Sequence, residues 1–335
     1  MDKPIPYPVI RTAPGFSPFV MIAGWMICLG ALGCNEGVAS PQRAGPGMPS
    51  GAQDGASPTP SGELRQSMAT HFDDIGFPAG GCGVPHDALE SVYFVALNVQ
   101  NTANDYTSHL PRPIPAASPT GEYQNGRNCG RWVRVAIGDF CTGGGNSGAP
   151  GSEFCAGGSW TADGFNGATQ DLLVTDSCQD GNRWCRDDRF HLDLATASLT
   201  RFAKDGVLLE QLPAHWNNRK ISWQYIEAPG YAGDIAIGFR NDATRYWPAI
   251  VFTRLQNGIH GVEMDTNGTW QKLTMISDNG QVYELKPTAD NRYRIRLSDA
   301  SDRLIHDGRV YEFSFPAECG ERCQAVYTPV SYTTD

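Results

Sequence analysis

The chain has 335 residues, and its 38 glycines and 23 prolines favour short strands and turns over long helices. Its formal net charge is −10, which argues against the charge-driven binding of nucleic acids or anionic lipid surfaces, because such binding needs basic patches. The same charge argues against tight electrostatic binding to acidic wall polymers. We therefore expect an uncharged partner.

The first 34 residues indicate an export signal. A polar start is followed by an apolar run over residues 19–33, which is too short for a membrane span and is typical of a signal-peptide core. The run ends in Ala-Leu-Gly-Cys at residues 31–34, which resembles a bacterial lipobox. Cleavage there would leave Cys34 as a lipidated N-terminus. We expect an exported protein that touches the envelope membrane through this lipid anchor only, with plain secretion as the alternative.

The remaining chain divides into a linker and two folded parts. Residues 35–66 are rich in Pro, Gly, Ser and Ala and predict a flexible linker. Over residues 67–206, short apolar runs alternate with long loops, which predicts a closed β-barrel with insertions. Over residues 218–335, regular alternating strands joined by Asn-Gly turns predict a β-sandwich. We expect a mainly β protein that is a monomer.

Eight cysteines follow the signal segment, and an even number in an exported chain predicts disulfide bonds. No cysteines or histidines have the spacing of zinc ligands, so neither a metal nor another cofactor is expected. Proximity in the sequence favours the pairs Cys141–Cys155, Cys178–Cys185 and Cys319–Cys323. Cys82 and Cys129 would form the fourth pair, although the sequence alone does not prove this connectivity.

Two aspartates are candidates for chemistry. Asp176 follows an apolar strand, Asp193 lies in a second short strand, and a Cys178–Cys185 bridge would close the loop between them. Paired carboxylates in a groove suit acid–base work on a glycosidic bond. An aspartate at the end of a strand is also a common turn former, so both interpretations stay open at this point.

The order and spacing of several segments resemble the expansin family. In the first half, the segments are Cys82-Gly83 and residues 69–72, 94–98, 129–135, 174–178 and 191–194. In the second half, they are residues 221–223, 245–250 and 268–270 and Tyr283. The resemblance covers roughly residues 68–318.

This resemblance implies a six-stranded double-psi β-barrel followed by an immunoglobulin-like β-sandwich of the family-63 carbohydrate-binding type. It implies binding to cellulose or a related β-1,4-glucan and non-hydrolytic loosening of wall polysaccharide. In the barrel groove it points to Thr70, Asp176 and Asp193, with Asp193 as the essential acid.

On the sandwich, the resemblance assigns cellulose stacking to Tyr246, Trp247 and Tyr283, with Arg240 beside them. Aromatic rings can stack on the apolar faces of sugar rings without any charge, which suits an acidic protein. Tyr246 and Trp247 are adjacent, so on a regular strand they would point to opposite faces. Both can be exposed only where a loop or bulge redirects one of them.

Two departures from the family pattern affect the groove. The family often has a tyrosine after the first groove aspartate, where this chain has Cys178, and Trp184 would supply an aromatic ring instead. The segment 136–170 is unusually long and could cap or extend the groove. We assign Trp223 and Trp270 to the core of the second domain.

Three alternatives remain. Related barrels include the inverting family-45 endoglucanases, and in this chain Asp193 would be the acid and Asp74 the base. Barrels of this type also occur in lipoproteins that cleave peptidoglycan, for which His191 and Asp193 would be the candidates. The third alternative is a pure carbohydrate-binding module with an inert barrel. Non-hydrolytic action is preferred, and whether any bond is cleaved stays open.

Overall fold

The computed structural model describes residues 62–76, 79–105, 112–115, 117–144, 153–178 and 183–335. The signal segment with Cys34, and the linker up to residue 61, lie outside these residues. Within the described ranges, none of the helices combines the length and the apolar character that crossing a bilayer requires.

The first nine strands of the described chain belong to one sheet. They are β1 (Arg65–Phe72), β2 (Phe94–Asn98), β3 (Trp132–Cys141), β4 (Trp160–Thr161), β5 (Thr169–Cys178), β6 (Leu192–Ala195), β7 (Ala203–Lys204), β8 (Val207–Leu208) and β9 (Arg219–Ile226). The one α-helix of the described residues is α1 (Arg183–Asp187). Short 3-10 helices cover His86–Ala88, Gln124–Gly126, Thr196–Arg201, Leu212–His215, Ile305–Gly308 and Ala317–Cys319.

Six of these strands close into a barrel. Their order is β3-β9-β1-β6-β2-β5, and β5 pairs back onto β3. The pairs β1–β6 and β2–β5 are parallel, and the other four are antiparallel. Side chains alternate between the two faces of each strand, so every second residue enters a common core. The predicted closed barrel is confirmed.

The last barrel strand corrects the predicted boundary between the two domains. We expected the segment from residue 218 onward in the sandwich, but β9 pairs with β1 and β3. Trp223 on β9 is fully buried in the barrel core, and its Nε1 donates to the carbonyl of Phe190 at 2.9 Å. Alternation of apolar residues predicts a strand but not its partner, because barrel and sandwich strands share the same period. At the N-terminal end of the barrel domain, β1 begins at Arg65, which lies inside the predicted linker.

Ten further strands form the predicted β-sandwich. They are β10 (Ala236–Arg240), β11 (Ala249–Thr253), β12 (Gly261–Thr266), β13 (Thr269–Lys272), β14 (Thr274–Met275), β15 (Val282–Glu284), β16 (Arg292–Ser298), β17 (Tyr311–Ser314), β18 (Tyr327–Pro329) and β19 (Thr333–Thr334). Two five-stranded antiparallel sheets, with orders β14-β15-β11-β10-β18 and β13-β12-β16-β17-β19, enclose one apolar core.

The hairpin β12–β13 shows how the sequence sets this architecture. Asn267 and Gly268 connect the strands, and both have positive φ angles, 55° and 81°, as a type I′ turn requires. Trp270 on β13 is only partly buried and lies under the guanidinium of Arg296, 4.5 Å from the ring centroid. The assignment of Trp270 to the core is therefore wrong, because β13 is an edge strand and this ring lies on its outer side.

All four predicted disulfide bonds are present. They join Cys82–Cys129, Cys141–Cys155, Cys178–Cys185 and Cys319–Cys323. The first lies in the barrel core, the second closes part of the insertion, and the third ties β5 to α1. By reducing the freedom of the unfolded chain, such cross-links stabilise domains that carry long loops.

Candidate functional site

A row of polar side chains crosses four adjacent barrel strands. Thr70 on β1 pairs with Asp193 on β6, and Asp193 pairs in turn with Ala96 on β2. Ala96 also pairs with Asp176 on β5. Directly paired residues project from the same face of a sheet, so Thr70, Asp193 and Asp176 share one surface. Ala96 lies between the two acids and is buried beside the Cys178–Cys185 bridge.

Asp176 enters this row because β5 is irregular. The pairing of β2 with β5 shifts register between Val95 and Ala96, so that Thr175 is skipped. Val174 points into the barrel core, and in a regular strand Asp176 would point the same way. The bulge turns Asp176 out to the row instead. Asp176 lies within β5 rather than after it, which excludes the simple turn former that the sequence left open.

A hydrogen-bonded chain holds Asp193. The hydroxyl of Thr70 donates to Oδ1 of Asp193 at 2.9 Å, and Nε2 of His191 lies 2.8 Å from the same hydroxyl oxygen. Because Thr70 has one hydroxyl hydrogen, Nε2 of His191 carries the hydrogen that Thr70 accepts. His191 is 0% exposed, and burial lowers its pKa to about 3, so the imidazole is neutral. His191 therefore positions Thr70 and, through it, Asp193.

The environment of Asp193 makes it a weak acid. Burial, with a smaller contribution from the nearby charge of Asp176, raises the pKa of Asp193 to about 6, against the lowering effect of the hydrogen bond from Thr70. A carboxyl group with such a pKa is partly protonated near neutrality. It can therefore donate a hydrogen bond, or a proton, as well as accept one.

Asp176 is held by backbone groups. Its Oδ1 accepts the N–H of Gly81 at 2.5 Å and that of Ser177 at 2.7 Å. Burial raises the pKa of Asp176, and these two hydrogen bonds together with the charge of Arg112 oppose the rise. A Cβ atom on Gly81 would lie 2.4 Å from Oγ of Ser177, so only glycine permits this close approach.

Asp74, the predicted base of a hydrolase, lies outside the row. It follows the end of β1, is exposed, and its Oδ1 accepts the N–H of Ile75 at 2.8 Å, a local turn contact. The sequence also suggested a turn at this position. Asp193 and Asp176, rather than Asp74, are the two acids that the barrel surface brings together.

Trp184 is positioned by α1 and lies beside the row. Its ring centroid is 6.2 Å from that of His191 and 4.8 Å from that of Phe154. Phe154 comes from the insertion and is a candidate site residue that the sequence did not indicate. Its only signal was the length of the insertion, which does not show which of its residues reach the groove.

Tyr246 and Trp247 lie on a tight turn of the sandwich rather than on a strand. The turn runs from Thr244 to Trp247, and the backbone groups of these two residues bond to each other at 3.1 and 3.2 Å. Tyr246 is 89% exposed, whereas Trp247 is partly buried against the sandwich core. The guanidinium carbon of Arg240 lies 5.7 Å from the Trp247 ring centroid. The turn thus presents one free and one half-covered aromatic ring.

Tyr283 does not join this pair, and its predicted role in stacking is wrong. Tyr283 is 2% exposed and pairs with Ile250 and Met275 inside the first sandwich sheet. Its ring meets Phe252 edge-on at 6.1 Å, and burial raises its pKa. The side chain faces the core because β15 is a central strand of its sheet, and Tyr283 has the same parity as the core positions.

Among the residues that the structure describes, no group of three or more His, Cys, Asp or Glu side chains is arranged to hold a metal ion. A weakly acidic carboxyl at Asp193, a second carboxylate at Asp176 and an oriented hydroxyl at Thr70 can exchange hydrogen bonds with the hydroxyl groups of a sugar.

No protein-family model matches the chain, and no curated protein matches it. Among solved structures it is similar to a point mutant of the Clavibacter michiganensis expansin in complex with cellohexaose. The identity is 18%, the TM-score is 0.46, and the match covers 78% of this chain and 96% of that chain. The apo form of the same expansin gives the same values.

The chain is also similar to the β-1,4-D-endoglucanase Cel45A from the blue mussel Mytilus edulis, at 15% identity and a TM-score of 0.25. That match covers 53% of this chain and 87% of the endoglucanase.

Proposed function

We propose that this chain binds cellulose or a related β-1,4-glucan and loosens packed glucan chains without cutting them. The observation that carries the proposal is the turn with Tyr246 and Trp247. Tyr246 is 89% exposed, more than any other large hydrophobic side chain of the described residues, so its ring is accessible to a partner. Its neighbour Trp247 is partly covered, which fixes the orientation of the pair.

The chemistry of this turn suits a neutral sugar polymer. The face of a pyranose ring carries C–H groups that pack on an aromatic ring, while its hydroxyl groups point outward to polar partners. Arg240, next to Trp247, is placed to bond such hydroxyl groups. No positive patch is required, which agrees with the net charge of −10.

The barrel row supplies the second contact. Asp193 can both donate and accept hydrogen bonds near neutral pH, and Thr70 keeps its carboxyl group in one orientation. A glucan chain held there would exchange its bonds to neighbouring chains for bonds to Asp193 and Asp176. Loosening is then a competition between hydrogen bonds, and no covalent bond needs to break.

A second candidate function is inverting glycoside hydrolysis, with Asp193 as the acid. It is favoured by the pKa of about 6, which suits a general acid. Asp176 lies two strands away from Asp193, so their Cα atoms are roughly 10 Å apart. Such a spacing is compatible with the carboxyl separation of roughly 6.5–9.5 Å in inverting enzymes. In this variant of the proposal, Asp176 replaces Asp74 as the base.

A pull-down on three polymers tests the proposal. Purified protein is mixed with cellulose, peptidoglycan and an acidic polysaccharide, and reducing ends are assayed in the supernatant. We expect retention on cellulose, weaker retention of Tyr246→Ala, and no release of reducing ends. Retention on peptidoglycan alone would favour the wall-lytic alternative.

The enzymatic outcome is read from the same assay. Release of reducing ends that disappears on Asp193→Asn would establish hydrolysis and overturn the non-hydrolytic proposal. Asp74→Asn and Asp176→Asn then decide which carboxylate is the base. Cellulose retention without any weakening of a cellulose sheet under load would leave a pure binding module.

We further propose that the protein is exported and anchored to the envelope through Cys34. The lipobox-like residues 31–34 support this, and four disulfide bonds agree with an oxidising compartment. Metabolic labelling with a fatty acid tests it. We expect label in the membrane fraction, lost on Cys34→Ser, and an unlabelled soluble product would leave plain secretion.

A further inference from the structure

A concave surface lies beside the polar row of the barrel. It has a volume of about 430 Å³ and is lined by apolar and aromatic side chains together with two opposite charges. The side chains that matter here are Met68, Phe154, Trp160, Glu153 and Lys220. We call this surface the insertion cleft. Its volume falls in the range of small-molecule sites, roughly 300–1,000 Å³.

The insertion cleft continues the face that carries Thr70. Met68 precedes Thr70 by two residues on β1, so both side chains project from the same side, and their Cα atoms are roughly 7 Å apart. Met68 pairs directly with Lys220 on β9, which extends that face one strand further. The row and the cleft are therefore successive parts of one surface.

A chain of aromatic contacts also connects the insertion cleft to the polar row. The ring of Phe154 packs on Trp184, and the ring of Trp184 lies against His191. His191 in turn bonds to the hydroxyl of Thr70 at 2.8 Å. A ligand bound in the insertion cleft would therefore lie next to the groups that position Asp193.

The walls of the cleft are held in place by the protein itself. The bridge Cys141–Cys155 fixes the residue next to Phe154, and the carbonyl of Phe154 accepts Nδ2 of Asn218 at 3.1 Å. Trp160 lies on β4, where it pairs with Cys141. Walls that are formed before binding lower the entropy cost of binding a ligand.

The charged side chains of the insertion cleft indicate which class of ligand it can bind. Nζ of Lys220 lies 4.9 Å from the centroid of the Trp160 ring, and Glu153 stands nearby with an exposed carboxylate. One cation and one anion cancel, so the cleft has no preference for a charged ligand. Aromatic and thioether surfaces edged by two hydrogen-bonding groups match a neutral hexose ring.

We propose that the insertion cleft is a further sugar subsite, in which one or two hexose units of a neutral β-glucan bind while the same chain crosses Thr70 and Asp193. The assignment rests on the proposed function for the identity of the sugar. It goes beyond that function by giving residues 153–160 of the insertion a role in extending the binding surface of the barrel.

Chain-length dependence tests this inference. In a Tyr246→Ala, Trp247→Ala background, which removes the sandwich contacts, the affinities for cellobiose and cellohexaose are measured by calorimetry. We expect Trp160→Ala to weaken cellohexaose binding about fivefold, the equivalent of about 1 kcal/mol for one aromatic contact, and to leave cellobiose binding unchanged. Phe154→Leu is a second variant that keeps an apolar side chain and guards against misfolding.

Trp270→Ala is the matched control, because Trp270 is also a partly buried ring under a cation, but on the sandwich. It should change neither affinity. If both Trp160→Ala and Phe154→Leu bind cellohexaose as the background does, the subsite is overturned while cellulose binding through the sandwich stands.

If the unmutated protein binds neither cellulose nor cellohexaose, the proposed function fails instead. The insertion cleft is then tested with mannohexaose, another neutral β-linked hexose oligomer. Binding that is lost on Trp160→Ala retains the sugar subsite with a different polymer, and absence of binding overturns it.

Discussion

Thr70 and Asp193 occupy the same register position on two parallel strands, and the hydroxyl of Thr70 donates to the carboxyl of Asp193 at 2.9 Å. The barrel thereby fixes both the position and the acidity of this carboxyl group. Since the buried imidazole of His191 supplies the hydrogen bond that Thr70 accepts, the three residues act as one unit.

The first prediction concerns Thr70→Val, which keeps the shape of the side chain and removes the hydroxyl. The Thr70 hydrogen bond lowers the pKa of Asp193, so its loss should move that pKa upward from about 6. The buried N–H of His191 also loses its acceptor, which should cost about 1–3 kcal/mol of stability. Carbon-13 NMR of the Asp193 carboxyl and urea unfolding measure the two effects.

Thr70→Ser is the control for this pair of measurements. It keeps the hydroxyl and should shift neither the pKa nor the stability by more than a small part of the valine effect. A pKa of Asp193 that is unchanged in Thr70→Val would show that the hydroxyl does not tune the acid.

The second prediction concerns the stability of Asp193→Asn. The pKa of Asp193 is about 6 in the folded protein and about 3.9 in an unfolded chain. Below pH 4 the group is protonated in both states and costs nothing, whereas above pH 6 it must ionise in a largely buried site. The wild type therefore loses stability as pH rises through 6, and Asp193→Asn does not.

We expect Asp193→Asn to be about 1–2 kcal/mol more stable than the wild type at pH 7.5 and equal to it at pH 4, after allowance for partial exposure. Chemical denaturation at the two pH values checks this. Asp188 also has a pKa raised by burial to about 6, but it is present in both proteins and cancels. Equal stabilities at pH 7.5 would contradict the prediction.

The third prediction separates the exposed from the buried aromatic residues of the sandwich. Tyr246→Ala removes a fully accessible ring and should weaken cellulose binding about fivefold with no loss of stability. Tyr283→Phe removes only a buried hydroxyl, which has no hydrogen-bond partner within the described structure. It should leave binding unchanged, and a depletion assay on cellulose compares the two.

The different outcomes for Tyr246 and Tyr283 show how much of the site could be predicted from the sequence. The exposure of Tyr246 follows from a loop or bulge that the sequence analysis required, and the structure provides a turn at Thr244–Trp247. Tyr283 resembles a family position, but its exposure depends on which side of β15 faces the core. One residue of register decides that, and register is set by contacts with distant strands.

The polar row of the barrel was likewise only partly predictable from the sequence. The sequence indicated Asp176 and Asp193 as a pair, and both lie on one surface. The bulge at Thr175 that brings Asp176 to this surface leaves no mark in an apolar run. Likewise, β9 has the alternation of any half-buried strand, so its place in the barrel was not predictable from that alternation. The contribution of Phe154 depends on how a long insertion folds back.

The last prediction concerns the junction between barrel and sandwich. Arg112, in the segment between β2 and β3, bonds through Nε to Oδ2 of Asp278 at 2.5 Å, and Asp278 lies between β14 and β15 with almost no exposure. Burial raises the pKa of Asp278, while the charge of Arg112 lowers it. Arg112→Met should therefore raise the pKa of Asp278 further. The stability loss should then be greater at pH 8, about 2–4 kcal/mol, than at pH 5, where Asp278 can protonate.

Urea unfolding at both pH values measures the loss, and the double variant Arg112→Met, Asp278→Asn is the control. Without the buried carboxylate of Asp278, the double variant should recover part of the loss at pH 8 and show a smaller pH dependence than Arg112→Met. Because Arg112 also lies near Asp176 and its charge lowers the pKa of that acid, Arg112→Met should raise the pKa of Asp176 as well. If Arg112→Met loses the same stability at pH 5 and at pH 8, Arg112 stabilises the junction by packing alone, because an effect of its charge on Asp278 would depend on pH.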